Sequence, residues 1–267
     1  MAAETIDQII EELESIIRNC IISNSRLGYF AALYNRVTMA IRDAVEGELF
    51  DNNERMARLD VVFANRYLDA YRQYTSGGNP TKSWLKAFRA AEGDGYIVLQ
   101  HLFAGMNAHI NLDLGIAAAT VAPGTELPGL RDDFNRINDI LASLTPTVEG
   151  QLDNTSWEMK ILTSLAPDLE RNMLGFGITE ARSVAWMLAS ELSLLPQAAW
   201  EAHIALRDEE ASLLADAILI DDFIVQELRR SENAMVADNI HLLCAGEFRI
   251  IPPLSAPGVL APESGGI

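Results

Sequence analysis

Apolar residues recur at helical spacing along most of the chain. Thr5 can cap a first helix in which Ile6, Ile9, Ile10, Leu13, Ile16, Ile17 and Cys20 share one face, with Glu11, Glu12 and Glu14 outside it. Ser23–Arg26 reads as a turn. A second helix is predicted from Leu27 to Phe50 on Phe30, Leu33, Tyr34, Val37, Ile41 and Val45. Asp51-Asn52-Asn53 can cap a third, Glu54 to Tyr74. A loop, TSGGNPT, precedes a short helix over Lys82–Ala91, which Gly93-Asp94-Gly95 ends. Further on, Arg131–Leu144 turns Phe134, Ile137, Ile140 and Leu141 inward. Thr179 opens a helix to Leu194 on Val184, Met187, Leu188 and Leu192, with Trp186 beside that face. A long helix is predicted from Gln197 to Arg230, and another over Asn233–Cys244. Between them and the first half, Gly150 and the DNTS turn blur the pattern over Val148–Ala166, Pro167–Met173 reads as a helical turn or short helix, and Gly175-Phe176-Gly177 punctuates. No segment alternates as a strand does, although Phe248–Ile251 could be short and extended. The prediction is an all-α chain without significant sheet: a single multi-helix bundle over residues 1–251, then a loose Pro/Gly-rich tail over 252–267.

One stretch departs from the amphipathic pattern. Gln100–Gly115, QHLFAGMNAHINLDLG, lies in a helix predicted from Tyr96 that can continue to Ala122, and it is apolar around most of its circumference. Such a helix belongs in the middle of a bundle. It also carries two His, two Asn and an Asp, and buried polar groups must find partners or cost free energy. The bundle is therefore expected to be built around this central helix.

His101, Gly105, His109 and Asp113 are spaced by four along a slanted row. His109 and Asp113 stand about 6 Å apart along the axis, close enough to share a ligand. An imidazole and a carboxylate at this spacing can hold one divalent ion, zinc or similar. They can equally form an acid–base pair, or a buried hydrogen bond that only fixes packing. His101 lies about 12 Å of rise from His109 and could help only if the helix bends at Gly105. Gly105 leaves room for a ligand or another helix. Asn107 and Asn111 fall on the opposite side, where they can line a pocket or satisfy neighbouring backbone. On the third helix Asp60 precedes an aromatic face of Phe63 and Tyr67, so a carboxylate can look at the central helix. Trp84 and Phe88 share a face and, with Tyr67, are candidate pocket walls.

Weaker signals lie later in the chain. His203 with Asp208, Glu209 and Glu210 reads as a solvated face. Asp221-Asp222 followed by Glu227 is similar to acidic metal-binding patterns but lacks the full D-D-x-x-D, and His241 reads as structural.

Composition narrows the partners. The formal net charge of −18 disfavours nucleic acid and anionic membrane surfaces. The two cysteines, Cys20 and Cys244, sit in apolar helical surroundings and supply neither a disulfide framework nor a paired-Cys zinc motif. The N-terminus has no secretory pattern, and no stretch of about 20 uncharged apolar residues could span a bilayer. A cytoplasmic location is the default expectation, with a small molecule as partner; the oligomeric state is open.

The central motif resembles a bacterial domain-of-unknown-function family numbered 5995. The similarity runs from Asp60-Val61-Val62-Phe63-Ala64-Asn65-Arg66-Tyr67, through Trp84 and Phe88, to Gly105-Met106-Asn107-Ala108-His109-Ile110-Asn111-Leu112-Asp113-Leu114, and reaches the helix with Arg182 and Trp186. It implies an all-helical domain and carries no activity. The His109–Asp113 pair is also similar to the H-x-x-x-D zinc ligands of the zinc phospholipase C and single-strand nuclease superfamily, whose second pair and further His ligands are absent here. Together these readings lead to an expected metal-dependent hydrolase of a small ester or phosphoester, with His109 and Asp113 as ligands and Asp60 and His101 as helpers. The alternatives are a metal-free acid–base enzyme (a lyase, isomerase or cyclase) and a non-catalytic helical binding module.

Overall fold

Every regular element is helical among the residues that the computed structural model describes, which are 2–144, 178–221, 223–231 and 235–245. α1 (Ile6–Ser23) starts where expected: the Thr5 hydroxyl accepts from the Gln8 amide, and all seven predicted apolar positions are buried. It stops because Asn24 turns left-handed at φ 52°. α2 (Gly28–Glu46) ends four residues before the predicted Phe50. Glu48 takes φ 54°, which folds the chain back and buries Phe50. The Asp133 carboxylate then accepts from the Asp51 and Asn52 amides at 2.7 and 3.0 Å, while Asn52 caps α3 (Asn53–Thr75) through the Arg55 amide.

α4 (Lys82–Ala90) is capped from a distance. Asp208 accepts from the Lys82 and Ser83 amides and the Ser83 hydroxyl at 2.7 to 2.9 Å. This corrects the reading of Asp208 as part of a solvated face: it is buried, because a carboxylate satisfies the free amides of a helix start.

The central helix forms in three joined pieces: α5 (Val98–Ala108), a wider π-helical turn (His109–Leu114) and α6 (Gly115–Val121). A 3-10 turn (Gly124–Leu130) leads to α7 (Arg131–Leu144); α8 (Ile178–Ser193) follows in the described residues. The single long helix expected from Gln197 is broken. A 3-10 turn (Gln197–Ala199) precedes α9 (Trp200–Ile218), and α10 (Phe223–Ser231) and α11 (Val236–Ala245) are separate. The break has a cause in the central helix: the Gln100 side-chain amide donates to the Ile218 and Ile220 carbonyls at 2.8 and 2.9 Å, satisfying acceptors that the end of α9 leaves free. Cys244 is exposed rather than packed in an apolar setting. The expectations over Val148–Ala166, Pro167–Met173, Gly175-Phe176-Gly177, Asp222, Phe248–Ile251 and the 252–267 tail lie outside the described residues, as does any boundary at 251.

The central helix joins two apolar cores. Val98, Leu102, Ala104 and Ala108 belong to one, with α1 to α4, Ile218 of α9 and α11. Leu112, Leu114, Ile116 to Ala119 and Val121 belong to the other, with α3, α7 and α8. His109 stands at their junction. Two glycines set the approach distances. A Cβ on Gly105 would meet the Phe30 ring of α2 at 2.5 Å, and one on Gly115 would meet the Ala185 carbonyl of α8 at 2.6 Å. The neighbour that Gly105 admits in the bundle is therefore a helix.

Candidate functional site

The π-helical turn supplies the two residues with most chemical potential. His109 and Asp113 are both buried, and His109 Nδ1 lies 3.3 Å from Asp113 Oδ2. Asp113 is the hub of a dense set of donors. Its Oδ1 accepts from Arg66 Nε of α3 at 2.7 Å, and its Oδ2 also accepts from Trp84 Nε1 of α4 at 2.8 Å. Burial pushes the Asp113 carboxyl up, but the Arg66 guanidinium and the His109 and Trp84 hydrogen bonds outweigh it and hold the group below its usual range. Asp113 is thus a carboxylate. An ionised acceptor requires a proton on His109 Nδ1, which leaves Nε2 as a bare lone pair. Burial lowers the His109 pKa despite Asp113, so the ring is a neutral imidazole at neutral pH.

Nε2 has no hydrogen-bond partner, and His109 lines a cavity of about 350 Å³. The Phe63 ring stacks on the imidazole at 3.6 Å between centroids, and Tyr34 meets it edge-on at 4.5 Å. Met56, Leu59, Leu102, Met106, Ile110, Leu114 and Ile137 make most of the wall apolar. Asp60 lines the same cavity, is 8 % exposed, and has an Oδ2 with no partner. Burial alone raises its pKa from 3.8 to about 7, so at neutral pH it exchanges readily between acid and base. The Tyr34 hydroxyl is also buried and unpartnered, and burial, then Asp60, keeps it protonated. Arg36 and Arg182 complete the polar lining.

Of the expected residues, His109, Asp113 and Asp60 come together, with Asp113 behind the imidazole. Others do not reach the cavity. Asn111 donates to Asn107 Oδ1 at 3.0 Å, and Asn107 donates to the Ala211 carbonyl at 2.7 Å. The Asn pair therefore clamps α9 to the central helix and is not a pocket wall. Tyr67, Trp84 and Phe88 also fail to line the cavity. They are buried behind His109, where Trp84 and Phe88 stack at 5.1 Å and Tyr67 tilts against Trp84 at 5.2 Å. Gly105 faces Phe30, as described above. His101 lies elsewhere, buried between Tyr29 at 5.5 Å and Tyr96 at 6.2 Å. Its burial, with Arg26 nearby, lowers its pKa to about 3, and it does not line the cavity that His109 lines.

The donor set does not fit a divalent ion held by His109 and Asp113. Both Asp113 oxygens face N–H groups, one of them a guanidinium, and the His109 nitrogen on that side bonds the same carboxylate. Among the described residues no three His, Cys, Asp or Glu side chains converge to hold a metal.

Three side chains at this site are not singled out by the sequence pattern as candidate site residues: Tyr34, Arg66 and Arg182. The spacing of Tyr34 places it on an apolar helix face, and its hydroxyl is invisible to an apolar pattern. Arg182 left a usable sign, because it sits beside Ala181 and one turn before Ala185 on the buried side of α8. A cation on an apolar face needs a reason.

Residues 6–220 match a protein family described as a family of unknown function, DUF5995. No curated protein and no solved structure matches the chain. These comparisons lend nothing to the similarity with zinc phospholipase C and the single-strand nucleases. No helix among the described residues is long and apolar enough to cross a membrane.

Proposed function

The chain belongs to the DUF5995 family, and we propose that it is a metal-free acid–base catalyst that moves a proton on a small, largely apolar molecule, as a lyase, isomerase or cyclase does. The observation that carries this reading is a pair of unsatisfied buried groups in one apolar cavity: His109 Nε2 and Asp60 Oδ2. Ordinary packing would satisfy or avoid both. His109 is the base. Asp113, fixed by Arg66 and Trp84, orients the ring, sets its tautomer and stabilises the imidazolium formed when Nε2 takes a proton. Asp60, with a pKa of about 7, is the acid that returns a proton elsewhere on the substrate. Tyr34 can hydrogen-bond a developing oxyanion from the same wall. Trp84 and Arg66 act through Asp113 and are positioning residues.

The test uses enolisable apolar ketones and aldehydes as probes, incubated with protein in D2O and followed by proton NMR. Deuterium incorporation that falls at least about a hundredfold in His109→Gln and Asp60→Asn, with both variants folded, supports the reading. Absence of exchange by the wild type across the panel, or undiminished exchange in either variant, counts against it. The cavity would then belong to a non-catalytic binding protein.

A further inference from the structure

The cavity holds a cation that nothing in the described protein neutralises. Arg182 is 4 % exposed, lines the cavity, and has an unpartnered Nε. One Nη donates to the Phe134 carbonyl, and the guanidinium carbon lies 4.3 Å over the Phe134 ring centre. Those contacts fix the orientation of the group without supplying negative charge. Burial alone lowers its pKa to about 10, with no carboxylate acting against the loss of water. Arg36 is the other basic residue in the lining, and the one acidic residue there, Asp60, is neutral for much of the time near neutral pH. In a chain of net charge −18, a buried site whose fixed charges are positive is against the trend of the molecule.

We propose that this cavity binds an amphipathic monocarboxylate, with its carboxylate on Arg182 and its apolar body against Met56, Leu59, Phe63, Met106 and Ile110. The inference rests on the cavity assigned above as the site and adds the class of molecule that it takes. A guanidinium held in place by an aromatic face presents a rigid fork to a carboxylate, and burial strengthens that pairing relative to water. Apart from Tyr34, Arg36, Asp60 and His109 the remaining wall is apolar, so most of the ligand's body is hydrocarbon. A cavity of about 350 Å³ falls within the size range of small-molecule sites. A protonated Asp60 is compatible with an anion nearby, whereas an ionised one is not.

Calorimetric titration of the full chain with decanoate and with decanol at pH 7 tests this. Both probes have the same chain, and only one is charged. The wild type is expected to bind decanoate at least about tenfold more tightly than decanol, as a charge-assisted pair is worth. Arg182→Met should abolish that preference while retaining the binding of decanol. If that variant does not fold, Arg182→Lys, which keeps the charge but loses the fork, should reduce the preference by at least about threefold. Equal affinity for the two probes in the wild type, binding of neither, or full preference in a folded Arg182 variant would overturn the proposal. No turnover is measured. A protein that prefers decanoate but exchanges no deuterium keeps this inference and loses the acid–base reading, and the converse result separates them the other way.

Discussion

Asp60 and Asp113 have the same side chain, similar burial and opposite electrostatics. Asp113 has a guanidinium and two further N–H donors; Asp60 has none of these. Their effects on stability therefore run in opposite directions with pH. The folded-state pKa of Asp60 is raised, so its contribution is fully present below 3.8 and is lost as pH rises through about 7. A shift of that size corresponds to roughly 4 kcal/mol. Asp60→Asn should consequently raise the melting temperature at pH 8 and change it little at pH 4, which a pair of calorimetric scans will show. Asp113 and His109 have lowered folded-state pKa values. The stability that Asp113 supplies is present above 3.8 and lost below it; that tied to neutral His109 is present above 6.5 and declines as the pH falls further. Asp113→Ala strands Arg66, Trp84 and His109 together and should cost about 3–5 kcal/mol by urea denaturation. A loss under 1 kcal/mol would mean that the hub is not formed.

At the scale of elements, the central helix makes contacts that only small side chains allow. The Cβ added by Gly115→Ala would press on the Ala185 carbonyl, which is backbone and cannot rotate away. That substitution should cost about 1–3 kcal/mol. Gly95→Ala, where nothing lies within 4 Å of the new atom, should stay within about 0.5 kcal/mol. Gln100→Leu leaves the Ile218 and Ile220 carbonyls and the Ile97 amide without their side-chain partner and should cost about 1–3 kcal/mol. If Gln100→Leu were neutral, the break between α9 and α10 would need another cause. These elements also show what the sequence could and could not reveal. The amphipathic stripes of α1, α3 and α7 were legible because burial follows a single period. The end of α9 was not, since the group that ends it lies more than a hundred residues earlier. Nor was the start of α4, whose cap, Asp208, lies more than a hundred residues later. Within the site, His109 and Asp113 were legible by their spacing on one helix. Arg66, Tyr34 and Arg182 come from three other helices, and no local pattern joins them. The metal expectation arose because spacing reveals which residues are close and says nothing of which donors already occupy them.

For the whole molecule, the two cores meet at the π-helical turn, and the cavity opens where neither core fills the junction. The proposed site and the packing junction thus share one location, and His109 Nε2 and Asp60 Oδ2 stay unsatisfied there. The acidity works at the same scale. With 38 acidic and 20 basic side chains, self-repulsion opposes the compact state. Added sodium chloride should therefore raise the melting temperature, whereas a fall would mean that attractive ion pairs dominate. The central claim is narrower: a neutral imidazole at position 109, protonated at Nδ1 by virtue of Asp113, offers a bare Nε2 to the cavity. Nitrogen-15 NMR of protein labelled at histidine, assigned with His109→Gln, reads this without knowledge of a substrate. The account predicts the Nδ1–H tautomer of His109 at pH 7 and above. An Nε2–H tautomer, or an imidazolium at pH 7, would contradict it.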